Sequence, residues 1–201
     1  MHFGENLPVT LETYLEKAAS GDKTLDALCW PSLDRVESLY IEWFETCRER
    51  GVQVDGCDLL DVGEGLGLFQ EWLKKEWITM KVTGVEAAKE FHEHCVENYP
   101  EHTHVHGVFP HHALGSLYDH VVMFGTLTWM SEEMANEVVV AGALRAKRSL
   151  AFNLMDPALY SGAFEAFHPA RLLESLKVLG FDVIILHKPK EQENLYVAVR
   201  K

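Results

Sequence analysis

Apolar residues recur along this chain with two different periods, and the change from one to the other divides it. Over residues 10–20, Leu11, Tyr14, Leu15 and Ala18 fall three or four apart, which places them on one face of a helix, and Gly21 follows as a stop. A second helical run carries Leu33, Val36, Leu39, Tyr40, Trp43, Phe44 and Cys47 at the same spacing. Ser32 is placed to cap its start, and Arg48, Arg50 and Gly51 suit its end. The aromatic stripe of this second helix reads as core packing against a sheet.

From Cys57 onward, short continuous apolar runs alternate with helical ones. Strands are expected at about 59–62, 81–85, 103–108, 118–124 and 149–154. Between them the pattern predicts helices opening near Leu66, near Ala88 and at Glu132, the last running to Lys147. Pro169 and Gly180 bracket a final helix, and strands at 181–186 and 195–199 close the chain as a hairpin across the short polar link HKPKEQEN. Strands that alternate with helices and are apolar throughout argue for a parallel sheet covered on both faces.

Composition narrows the class. The 201 residues, 47% hydrophobic and 24% charged, suit one globular unit. A formal net charge of −13 repels a polyanion, and Lys147–Arg148 and Lys188–Lys190 are only short basic pairs, so a nucleic acid partner is not expected. Four cysteines (29, 47, 57 and 95) lack C-x-x-C spacing and read as reduced, mostly buried thiols. No apolar run approaches the roughly 18 residues of a membrane span, and the first residues lack the basic and apolar regions of a signal peptide. A cytoplasmic protein with no membrane partner is the expectation.

The chemistry concentrates at D-x-G-x-G-x-G, Asp61 to Gly67, between the first predicted strand and its helix. Alternate glycines allow a sharp turn and close approach of a ligand to the main chain, and the helix start behind them offers free N–H groups. The dinucleotide fingerprint G-x-G-x-x-G fails because its third glycine is replaced by Leu68, which disfavours a nicotinamide-dependent oxidoreductase. No Gly-Lys-Ser/Thr follows, which excludes a phosphate loop. Glu86 ends the second strand in VTGVEAA, where a carboxylate can accept from both hydroxyls of a ribose.

Together these segments resemble the class I S-adenosylmethionine (SAM)-dependent methyltransferases. The resemblance covers about residues 57–201 and implies a Rossmann-like α/β fold, a seven-stranded sheet of order 3-2-1-4-5-7-6 with helices on both faces. Residues 1–55 are then an N-terminal helical cap and 56–201 the SAM-binding unit. It implies SAM as cofactor, held by Asp61, Gly63, Glu64, Gly65, Gly67, Glu86 and Ala87. YDHVVMFGTL resembles the family's fourth-strand segment, which implies that Phe124, Gly125 and Thr126 line the methionine end. The third strand departs from the family: HVHGVFP has no acid for the adenine amino group, leaving Val108 and Phe109 to pack on its faces.

The asparagine–proline–proline–aromatic motif of amino methylases is absent, so the expected activity is methyl transfer to a small-molecule acceptor. The alternative is a catalytically inactive protein that binds or senses SAM. Candidate groups for a base follow strand ends: His111, Tyr160 and His168, with Asp156, Trp30 and Tyr14 as candidate acceptor contacts. His102, His104 and His106 alternate on the third strand, but no carboxylate or cysteine nearby completes a ligand set, and no metal is expected.

Overall fold

The computed structural model describes residues 11–110 and 116–201. At its centre lies β1 (Asp58–Val62), paired in parallel with β2 (Lys81–Glu86) on one side and β4 (Tyr118–Met123) on the other. Adding β3 (Thr103–His106), β5 (Ala146–Met155), β6 (Phe181–Lys188) and β7 (Glu193–Arg200) gives a seven-stranded sheet of order β3-β2-β1-β4-β5-β7-β6. Only β7 runs against its neighbours, as the closing hairpin requires. The expected order is the observed one.

Two apolar layers cover the sheet. On one face α5 (Glu132–Ala143) and α6 (Ala170–Val178) pack Ala135, Val139, Leu172 and Leu176 over Val121, Leu150 and Phe152. On the other, α2 (Leu33–Glu49) and α3 (Leu68–Lys75) pack Leu39, Tyr40, Trp43 and Phe69 over Leu59, Val122 and Val197. Ser32 does cap α2, its Oγ accepting from the Arg35 N–H. Trp43 is fully buried, and removing a side chain of that size costs about 3–5 kcal/mol. Its indole N–H donates to Ser149 Oγ, which in turn meets His120 Nδ1 at 2.8 Å. His120 Nε2 donates to the Gln53 carbonyl, so the ring is neutral with its Nδ1 accepting, and burial pulls its pKa down to about 4. α1 (Leu11–Ala19) lies apart from both layers and packs on α4 (Lys89–Asn98), where Tyr14 meets Phe91 edge to face at 5.5 Å.

Several boundaries differ from expectation. α3 opens at Leu68, two residues late, because Gly67 just before it has φ +75° and cannot be helical. α5 stops at Ala143, and β5 begins at Ala146, not at 149. Strand pairing wins there: Ala146 registers with Tyr118, while Lys147 and Arg148 belong to the strand and bind Asp119 at 3.1 and 3.2 Å. β3 ends at His106, since Gly107 turns with φ +156°.

Candidate functional site

Where β1, β2 and β4 end, their connections line a cleft that opens to solvent. Ligands of open α/β sheets bind at this edge. The loop after β1 is tied down on both sides. Gly63 and Glu64 donate backbone N–H bonds to the Val85 carbonyl at 2.8 and 3.3 Å. Thr126 Oγ1 donates to the Val62 carbonyl at 2.5 Å. A Cβ on Gly63 would meet that same hydroxyl at 2.5 Å, so no other residue fits without moving the loop after β4.

Glu86 sits at the cavity wall, 1% exposed. Its Oε2 accepts from the Gly65 N–H at 2.8 Å and from the Tyr14 hydroxyl at 3.2 Å, and its Oε1 accepts from the Ala88 N–H at 2.8 Å. Burial pushes its pKa up to about 7 despite those donors. Asp61, also buried, is pushed well above the usual carboxylate range by burial and then by Glu64 and Glu86. The wall of the cavity therefore carries two buried carboxyl groups that hold their protons more readily than exposed ones do.

Its two ends are apolar. At one, Gly107, Val108 and Phe109 follow β3. At the other, Tyr40 lies 4.9 Å from Phe69 and 5.3 Å from Phe124, ring centre to ring centre. Trp30 covers Gly125 so closely that a Cβ there would lie 2.6 Å from the indole. Trp129 and Met130 complete this end. The Gly125 N–H donates to Asn153 Oδ1 at 2.7 Å, Asn153 donates to Glu193 at 2.8 Å, and Arg35 pairs with Glu193 at 3.2 Å. That buried chain fixes the turn after β4 from α2 and β7.

Of the residues singled out from sequence, Asp61, Gly63, Glu64, Gly65, Glu86, Ala87, Val108, Phe109, Phe124 and Gly125 all line the cavity, as do Tyr14 and Trp30. Gly67 does not; it lies under the Tyr99 ring. The Glu64 side chain is fully buried and turns away beneath the loop, toward Gln70 and His104. Asp156 accepts from the Ala158 N–H and from Asn194, and the Tyr160 hydroxyl accepts from the Phe164 N–H. Both act as loop braces outside the cavity lining, and His168 is exposed ahead of α6. His111 lies outside the described residues. Tyr40, Trp129 and Met130 escaped the sequence reading: the first looked like core, and the others carry no polar signature.

No protein-family model and no curated protein sequence matches the chain. Solved structures do match in fold. Magnesium protoporphyrin IX methyltransferase from Synechocystis PCC 6803, with SAM bound, aligns at a TM-score of 0.66 and 17% identity, over 84% of this chain and 79% of the other. SAM-bound CalS10, an amino pentose methyltransferase from Micromonospora echinaspora, aligns at 0.66 and 16% over the whole of both chains. A SAM-dependent methyltransferase from Clostridium acetobutylicum aligns at 0.66 and 12%, over 93% and 98%. The chain has the fold these proteins share.

Proposed function

We propose that this fold serves SAM-dependent methyl transfer to a small-molecule acceptor, with the cofactor in the cavity at the ends of β1, β2 and β4. One observation carries the reading: the glycine turn and Glu86 meet through the Gly65 N–H, so a carboxylate able to accept from a ribose stands beside a turn of alternate glycines. SAM supplies an already activated methyl group on a sulfonium. The chain has then mainly to bind, orient and exclude water. Glu86 accepts from the ribose hydroxyls, and Val108 and Phe109 pack on the adenine. The rings of Trp30, Tyr40 and Phe124 wall the reacting end, where an aromatic face over a cation contributes about 0.5–2 kcal/mol. A net charge of −13 favours a small acceptor over a nucleic acid.

A second reading, a protein that binds or senses the cofactor without turnover, draws on the Tyr14 hydroxyl, which already occupies an acceptor oxygen of Glu86. Incubation with SAM and panels of nitrogen, oxygen and sulfur nucleophiles distinguishes the two. Methyl transfer releases S-adenosylhomocysteine above the no-acceptor blank for at least one panel. Binding without release from any of them supports the second reading instead.

Two further outcomes are expected. Cofactor affinity should rise with pH through about 7, because Glu86 must lose its proton to accept fully. Apparent affinity scales with the competent fraction, so it should improve roughly tenfold between pH 6 and 8. Glu86→Gln should flatten that profile, and an equal slope in this variant would place the titrating group elsewhere.

The segment joining α1 to α2 should close over the ligand, since its Leu28 and Trp30 line the cavity together with Tyr14 of α1. Limited proteolysis between Gly21 and Pro31 should slow several-fold with S-adenosylhomocysteine. Equal rates with and without it would mean that the segment does not act as a lid.

A further inference from the structure

Beneath the glycine turn, on the side away from the cavity, three side chains from separate elements converge. Glu64 comes from the turn, Cys95 from α4 and His104 from β3, and one ligand atom from each lies within 4.8 Å of the others. Along the sequence, the histidines of β3 have no neighbouring carboxylate or cysteine that completes a ligand set. The fold supplies both, from residues 40 and 9 positions earlier than His104.

The hydrogen bonding around this cluster is unbalanced. His104 Nε2 lies 2.9 Å from the Tyr99 carbonyl, which can only accept, so that nitrogen carries the N–H. The other ring nitrogen, Nδ1, faces Glu64 Oε2 at 2.8 Å. A neutral ring and a carboxylate would set two lone pairs against each other there, so a proton or a metal ion must lie between them. A proton satisfies that contact alone. It leaves Glu64 Oε1 fully buried with no donor among the described residues, and an unpaired carboxylate oxygen is costly.

The surroundings are those of ligands held in place. A backbone carbonyl fixes the tautomer of the histidine, and Gln70 Nε2 donates to Glu64 Oε2 at 3.0 Å. Gly84 on β2 makes the room: a Cβ there would lie 1.8 Å from Glu64 Oε2. The Cys95 thiol lies 3.3 Å from the Gly65 carbonyl and interacts with the Glu64 carboxylate.

We propose that Glu64, Cys95 and His104 bind a zinc ion that clamps the glycine turn to α4 and β3. Thiolate, imidazole and carboxylate together suit a borderline-soft, tetrahedral ion, and a dication balances the thiolate and the carboxylate. Metal–ligand bonds of about 2.0–2.3 Å need the His104–Glu64 contact to open to about 3.3 Å. Glu64 would bind through one oxygen, and three protein ligands leave the fourth position of a tetrahedral ion to a further donor.

The full chain, purified without a polyhistidine tag, tests this. Metal analysis after dialysis against zinc should find about one ion per chain, with Cys95→Ala and His104→Ala each losing at least tenfold in zinc affinity. To separate metal binding from variant folding, the native chain is also read directly. Zinc-edge anomalous scattering from crystals should show a peak bonded to these three side chains. Cobalt loading should give a thiolate-to-metal charge-transfer band. Zinc retained undiminished by both folded variants, or an anomalous peak only at surface histidines, overturns the proposal, as does the absence of any stoichiometric metal.

Discussion

Gly65→Val is expected to abolish SAM binding, with affinity falling on the order of hundredfold or more, about 2.7 kcal/mol, while the chain still folds. Gly65 has φ +56°, a conformation that a β-branched residue resists, and its N–H is one of the donors that orient Glu86. An added Cβ would lie 2.9 Å from Leu28 Cδ2, the end of a flexible side chain that can yield. The loss should therefore fall on the cavity and not on the core. Equilibrium dialysis with labelled S-adenosylhomocysteine measures the affinity, and circular dichroism checks the fold. Unchanged affinity in a folded variant would move the ligand site away from this turn.

Glu86→Ala should cost SAM affinity about tenfold or more. A charge-assisted bond contributes about 1.5–3 kcal/mol, and 1.4 kcal/mol is a factor of ten. Glu86 also holds the N–H groups of Gly65 and Ala88, so its loss loosens the turn and the start of α4 together. Glu86→Gln keeps an acceptor oxygen and should fall between the two. A loss of less than twofold on Glu86→Ala would mean that the carboxylate braces the loop without touching the ligand.

What the sequence made legible was local. The order of strands and helices follows from apolar period, and the glycine turn and Glu86 follow from residues that sit next to strand ends. α5 shows where such reading fails. Its helical period runs on toward Lys147, but the hydrogen bonds of β5 with β4 claim Ala146 onward. The aromatic end of the cavity was harder for another reason. Tyr40 sits in a helical stripe with Leu39 and Trp43, and nothing in its spacing tells which ring faces the core and which the cavity. Asp156, Tyr160 and His168 look like candidates because they follow strand ends, yet the loop after β5 uses the first two to brace itself. The Glu64–Cys95–His104 cluster joins three elements and has no local signature at all.

Binding of SAM in the cavity at the ends of β1, β2 and β4, as proposed, is tested most directly by isothermal titration of the native chain with SAM, S-adenosylhomocysteine and NAD. Saturable binding of both adenosyl ligands near one per chain is expected, with none for NAD. No heat from either adenosyl ligand, or binding of NAD alone, would contradict the account.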